Sequence, residues 1–245
     1  MRNIKVIMSY KGTAYHGFQR QENAIAIQNI VEDTLTEMLK DEVKINGCSR
    51  TDTGVHANKF CFNFLTECMI PNDNLLRAAN RLLPRDIVFL SCEDINEEFH
   101  ARFDCIGKEY VYMIDNSRIR NVFTSDTALH YPYPINVQKL NEAAKHFVGT
   151  KDFTSLCGTA NLKENCIRTV EYCNVYKNEN MVKIVVKGDG FLYNMVRIIV
   201  GTLIYVSENK ISADDIPKII AKKNRIYAGK TAEPQGLFLN EVFYS

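Results

Sequence analysis

Apolar and polar positions alternate at the start of the chain, with Ile4, Val6 and Met8 set against Lys5 and Ser9. A period of two is that of a half-buried strand, here running into a loop punctuated by Gly12 and Gly17. From Ile27 the period changes, and Ile30, Val31, Leu35, Met38 and Leu39 fall at helical spacing. Phe60, Phe62 and Phe64 share one face of a strand over Lys59–Leu65. The pattern then predicts a short helix over Asn74–Leu83 stopped by Pro84, a strand over Ile87–Cys92, and another over Lys108–Ile114 with Tyr110 and Tyr112 on one face. Residues 116–135, with Arg118, Arg120, Pro132 and Pro134, carry no clear period and read as a linker or crossover. Beyond them, Asn136 caps a helix over Val137–Val148 that ends before Gly149. Arg168–Tyr176 and Met181–Val186 read as an antiparallel pair turning at Lys177–Asn180. An apolar helix over Tyr193–Val206, a helix capped by Ser212 and ending near Lys223, and a strand over Leu237–Phe243 complete the series. Each half mixes sheet and helix in similar order. The expected class is therefore α+β, with an N-terminal lobe over residues 1–115 and a C-terminal lobe over 136–245.

At 245 residues and 46% apolar content the chain can bury a substantial core. Its 30 Lys+Arg stand against 29 Asp+Glu, a formal net charge of +1, so no global field marks a nucleic-acid binder. Any RNA site has to be a local basic patch. Lys59, Arg77, Arg81, Arg85, Lys222, Lys223 and Arg225 are candidates for phosphate contacts, each equally readable as an ordinary surface charge. The eight cysteines form no Cys-x-x-Cys and no close pairing with the five histidines, which argues against a zinc site. Cys61, between Phe60 and Phe62, reads as a buried free thiol and fits a reducing cytosol. Met1–Val6 hold no apolar signal region, and no apolar run approaches the roughly 20 residues of a membrane span, so a cytoplasmic protein with no membrane partner is expected. Neither a Gly-x-x-x-x-Gly-Lys-Ser/Thr loop nor a Gly-x-Gly-x-x-Gly fingerprint occurs, and Gly188-Asp189-Gly190 is too short to be one.

The candidate chemistry lies in Ser49-Arg50-Thr51-Asp52-Thr53-Gly54-Val55-His56-Ala57. If this segment is extended up to Gly54, Arg50 and Asp52 share a face, and a guanidinium beside a carboxylate keeps it ionised. A charged Asp in a tight loop suits nucleophilic or general-base chemistry. The alternative is an Asx-turn in which Asp52 merely bonds the backbone near Gly54.

The nine residues resemble the active-site signature of the TruA family of tRNA pseudouridine synthases, in which the aspartate is catalytic. Four further blocks follow the same family in order. They are Tyr10-Lys11-Gly12-Thr13-Ala14-Tyr15-His16-Gly17-Phe18-Gln19-Arg20-Gln21, then Phe99-His100-Ala101-Arg102-Phe103 with Lys108-Glu109-Tyr110-Val111-Tyr112, then Gly188–Arg197, then Ala228–Ala232 with Gly236-Leu237. The resemblance implies a pseudouridine synthase fold, two lobes with joined, mainly antiparallel sheets, helices outside and a basic central cleft. It also implies a homodimer acting on the anticodon stem-loop of tRNA at positions 38, 39 and 40.

Pseudouridine formation breaks the bond from uracil N1 to the sugar, turns the base and rejoins it through C5, with no atom gained or lost. The resemblance accordingly implies no cofactor and no metal. It makes Asp52 the nucleophile, Tyr110 the ring that stacks on the target uracil and handles the C5 proton, and Arg197 the partner of Asp52. Arg50 matches a position that displaces the target base or holds its phosphate, and Leu237 the apolar wall of the uracil pocket. Each has a plainer reading: half-buried packing for Tyr110, snorkelling from an apolar helix for Arg197, core for Leu237, a solvent-screened charge for Arg50. His56 reads as structural or RNA-contacting. Lys151-Asp152-Phe153 stands where many relatives read His-Asp-Phe, and Glu233 where proline is usual. A catalytically idle RNA-binding module is the rival class, and a carboxylate facing RNA phosphates speaks against it. Isomerase activity on ribosomal RNA keeps the chemistry and changes the substrate.

Overall fold

In a computed structural model, which describes residues 1–158 and 165–245, the order is β1 (Arg2–Tyr10), α1 (Ile27–Leu39), β2 (Asn46–Gly47), β3 (His56–Thr66), α2 (Asn72–Leu82), β4 (Ile87–Ile95) and β5 (Cys105–Asp115). There follow β6 (Leu129–His130), α3 (Val137–Lys145), β7 (Gly149–Asp152), β8 (Ile167–Asn178), β9 (Met181–Gly188), α4 (Met195–Ser207), α5 (Ile216–Ala221) and β10 (Leu237–Tyr244). The class is α+β. Two compact units result, Met1–Ile106 with Phe238–Ser245, and Gly107–Leu237.

In the first unit the strands lie in the order β4, β1, β3, β10. β1 is antiparallel to both β3 and β4, and β10 joins β3 in parallel with Phe238 opposite His56. The alternation along the sequence is the cause. Ile4, Val6 and Met8 stand opposite Phe64, Phe62 and Phe60, and all six are fully buried. Phe62 meets Phe89 of β4 edge-on at 5.4 Å between ring centroids. Each such side chain contributes roughly 1.5–3 kcal/mol by leaving water. α1 buries Ile27, Val31 and Leu35, while α2 packs on β4 through Leu75 and Ala79 and leaves Arg77 and Arg81 in solvent.

In the second unit the order is β5, β9, β8, β7, all antiparallel, with β6 added in parallel to β5. The hairpin is tighter than its sequence suggests: β8 and β9 pair as far as Asn178 and Met181, leaving Glu179 and Asn180 as the turn. Asn136 caps α3 by accepting the N–H of Lys139. Ser212, by contrast, makes no side-chain cap. It precedes a 3-10 turn over Ala213–Asp215, and α5 starts after that. α4 is apolar on nearly every side and accordingly buried, with Arg197 only partly covered. Residues 116–135 fall inside this unit, where Asn116 Nδ2 donates to the carbonyls of Tyr131 and Tyr133. β2, β6 and β7 are too short to show a period in sequence.

Among the described residues no helix is long and apolar enough to cross a membrane, and no group of three or more His, Cys, Asp or Glu is disposed to hold a metal ion. The cysteines are free, and burial pushes the Cys61 thiol up to about 11.

At Lys151-Asp152 the lysine Nζ donates to the carbonyls of His146 and Val148, closing the end of the α3 segment. Asp152 meets Lys223 Nζ at 2.8 Å and accepts from the Thr154 N–H and hydroxyl. Those partners, Lys223 first, hold its carboxyl at about 2. A depressed folded-state pKa stabilises the fold above the unfolded value near roughly 4, and that contribution is lost as pH falls through the folded value. We expect Asp152→Asn to cost about 1 kcal/mol at pH 7, limited by screening at the exposed Lys223. The difference from wild type in urea unfolding should close between about pH 4 and pH 2. A pH-independent difference would contradict this.

Candidate active site

Asp52 lies between β2 and β3, at the first position of a turn closed by the Val55 N–H on the Asp52 carbonyl at 3.1 Å. Gly54 is third in the turn at φ 78°, the left-handed conformation that glycine takes without strain. Residues 49–52, which lead into the turn, belong to no strand, and β3 starts only at His56. Arg50 is exposed and has no hydrogen-bond or ion-pair partner among the described residues.

The opening block forms the seat of this loop. A Cβ on Gly12 would fall 2.0 Å from the Val55 carbonyl oxygen, so only glycine lets the two backbones touch. A Cβ on Gly17, at φ 83°, would fall 2.7 Å from the Thr51 carbonyl oxygen, which accepts the Phe18 N–H at 3.1 Å. The Tyr10 and Thr51 hydroxyls share a buried 2.8 Å hydrogen bond. His56 accepts the Gly12 N–H on Nδ1 at 2.9 Å, and its ring stacks on Phe238 at 4.6 Å. A neutral imidazole that accepts at Nδ1 carries its proton on Nε2, so His56 is a strut of the loop rather than a base. Asp86 braces the seat from behind, accepting the Lys11 N–H on its carbonyl at 2.8 Å and the Tyr15 hydroxyl on its carboxylate at 2.7 Å. Burial, reinforced by Asp86, pushes the Tyr15 phenol well above its ordinary range. Asp86 has no periodic or motif signal, and only the glycine spacing hinted at the rest.

The Phe99–Phe103 block is fixed by two buried amides. Asn63 donates to Asn3 Oδ1 and the Phe99 carbonyl and accepts the Ala101 N–H, while Asn3 donates to the carbonyls of Asn96 and Phe99. Every stated arm of that network is satisfied, which a buried amide requires.

In the second unit, Tyr110 on β5 is almost fully buried and meets Phe191 edge-on at 5.3 Å and 88°. Tyr112, two residues on, is wholly buried and donates its hydroxyl to the Glu233 carbonyl at 2.7 Å, so it is core. Burial raises its phenol too. Arg197 is the third residue of α4. Its Nε donates to the Ala232 carbonyl at 2.7 Å and its Nη1 to Asn194 Oδ1 at 2.8 Å. The Ala228–Ala232 block reaches the helix because Gly201 and Gly229 face each other: a Cβ on Gly201 would lie 1.7 Å from the Lys230 oxygen, and one on Gly229 2.4 Å from the Gly201 oxygen. Thr202 Oγ1 accepts the Gly229 N–H in the same contact. Leu237 is buried at the start of β10, behind Gly236, whose missing Cβ leaves room for the Tyr112 ring.

Of the basic candidates, Lys59 pairs with Glu241 at 2.5 Å, Lys223 with Asp152, and Arg225 donates to the Ala228 carbonyl and Thr231 Oγ1. Lys222 Nζ lies 3.7 Å from the Tyr227 ring centroid. Arg77, Arg81 and Arg85 have no such partner among the described residues.

Comparison with known proteins bears on both units. A family model described as tRNA pseudouridine synthase matches residues 6–104 and 143–245. Proteins named tRNA pseudouridine synthase A from Ruminiclostridium cellulolyticum and Thermoanaerobacter sp. (strain X514) are 44% and 41% identical, over the whole of this chain and of theirs. A relative of the same name from Acetivibrio thermocellus is 41% identical over the same full extent. Among solved structures, a chain of a Cbf5–Nop10–Gar1 complex aligns over 95% of this chain and 49% of its own at 13% identity and a TM-score of 0.41, too distant to carry weight. With full-length identity of this order, and with its signature blocks serving as the seats of Asp52 and Arg197, the chain belongs to the tRNA pseudouridine synthase family and is an isomerase.

Proposed function

We propose that the protein converts uridine to pseudouridine at positions 38, 39 and 40 in the anticodon stem-loop of tRNA, with Asp52 as the nucleophile. The observation that carries this reading is the partly exposed Asp52 on a turn whose flanks are held by the Phe18 N–H on the Thr51 carbonyl, by the Tyr10 hydroxyl on the Thr51 hydroxyl, and by the close approaches of Gly12 and Gly17. The carboxylate adds either to the sugar carbon or to the base. By both routes the N1–C1′ bond breaks, the uracil turns, a C5–C1′ bond forms, the bond to Asp52 is released, the C5 proton leaves and N1 takes up a proton from solvent, so atoms and electrons balance without a further reactant. In this reading Tyr110 supports the flipped base and handles the C5 proton. Arg197 is the cation that keeps Asp52 charged. Arg50, without a hydrogen-bond or ion-pair partner among the described residues, displaces the base or takes a phosphate, and Leu237 forms an apolar wall. The protein acts as a homodimer that presents a composite surface to one tRNA, and sedimentation equilibrium giving only an active monomer would contradict that part.

Site choice is tested by mapping pseudouridines in RNA from cells with and without this gene. Loss confined to positions 38–40 of tRNA is the expected result. Loss elsewhere in tRNA, or in ribosomal RNA alone, would contradict it.

A further inference from the structure

Arg77 and Arg81 stand one turn apart on the exposed face of α2, about 6 Å along its axis. Arg85 follows the helix beyond Pro84. With Asn74, Ala78 and Leu82 the first two line an open concavity of about 410 Å³. None of the three arginines has a hydrogen bond or ion pair among the described residues. Elsewhere in this nearly neutral chain Arg2, Arg20, Lys59 and Lys223 are each paired with a carboxylate. Two like charges four apart on a helix repel, and although Asp73 lies four residues before Arg77 it makes no ion pair with it among the described residues, so an outside anion would relieve the repulsion.

We propose that this face of α2, with Arg85, is a docking surface for the phosphodiester backbone of the tRNA, apart from the Asp52 loop. The inference rests on the tRNA reading above and extends it to where the body of the substrate is held. Guanidinia one turn apart can each take a phosphate of one strand, and the fork of Arg suits that oxygen geometry. Leu82 is the only large apolar side chain among the lining residues. The surface is also rigidly tied to the catalytic loop within one unit. Asp86, next to Arg85, holds Lys11 and Tyr15 of the opening block, and Gly12 of that block touches Val55.

The test compares wild type with R77Q/R81Q/R85Q and R77K/R81K/R85K, all full-length, using a tRNA transcript. Binding is measured across a salt series and turnover is measured separately. The glutamine variant should fold normally, flatten the slope of log affinity against log salt by about 2 to 3, and raise KM about tenfold while kcat stays within about twofold. The lysine variant should recover the slope, because point charges still release counterions. Unchanged slope and KM in the glutamine variant would overturn the proposal and leave this face to an acidic protein or to solvent. Absence of turnover by wild type would overturn the isomerase reading instead, and the binding comparison would still decide this one.

Discussion

Gly201→Ala is expected to destabilise the protein by about 3 kcal/mol or more, at the upper end of what one added methyl does in a packed interior. The new Cβ would fall 1.7 Å from the Lys230 carbonyl oxygen, a backbone atom that cannot swing aside. Either α4 or the Ala228–Ala232 segment has to move. Such a movement also displaces the Ala232 carbonyl, which accepts from Arg197 Nε, so activity should fall further than the population of unfolded protein explains. Gly190→Ala is the control. Its Cβ would have 3.7 Å to Arg168 Nε as its closest contact, and the substitution should be neutral or slightly stabilising. Urea unfolding of the two variants beside wild type measures both effects, and equal stability of all three would contradict the close contact.

How far the sequence reveals this protein depends on the kind of signal. Long periodic elements were legible: the Phe60, Phe62 and Phe64 face, the α1 stripe and the apolar α4 follow directly from hydrophobic spacing. Two-residue strands such as β2 and β6 are set by neighbours distant in sequence and leave no period to read. Within the candidate site, Asp52 stands out by its motif, whereas Arg50, expected beside it, has no hydrogen-bond or ion-pair partner among the described residues. The seats of the site were hidden for a different reason. Gly12 against Val55, Gly201 against Lys230 and Asp86 against Tyr15 are contacts between segments far apart in the chain, and a close approach is visible in sequence only as an unexplained glycine. Arg77 and Arg81 of α2 are visible in sequence as charges, and what sets them apart is that other basic candidates, Lys59 and Lys223, are paired with carboxylates while these two have no partner among the described residues.

Asp52→Asn keeps the shape of the side chain and removes its charge and nucleophilicity. Stability and tRNA affinity should stay close to wild type, because the substitution is isosteric and keeps the backbone bonds from Phe18 and Val55 and the Tyr10–Thr51 hydroxyl pair. Turnover should fall by about four orders of magnitude or more, as when a covalent nucleophile is removed. In the same assay Tyr110→Phe, which keeps the ring and loses the hydroxyl, should be slower by about 10²-fold or more if the phenol moves the C5 proton. The direct measurement is tritium release from tRNA labelled at uridine C5, under single-turnover conditions with enzyme in excess. Rapid release by wild type and none above background by Asp52→Asn is the expected result. Substantial release by a folded, tRNA-binding Asp52→Asn protein would contradict the assignment of Asp52 as the nucleophile.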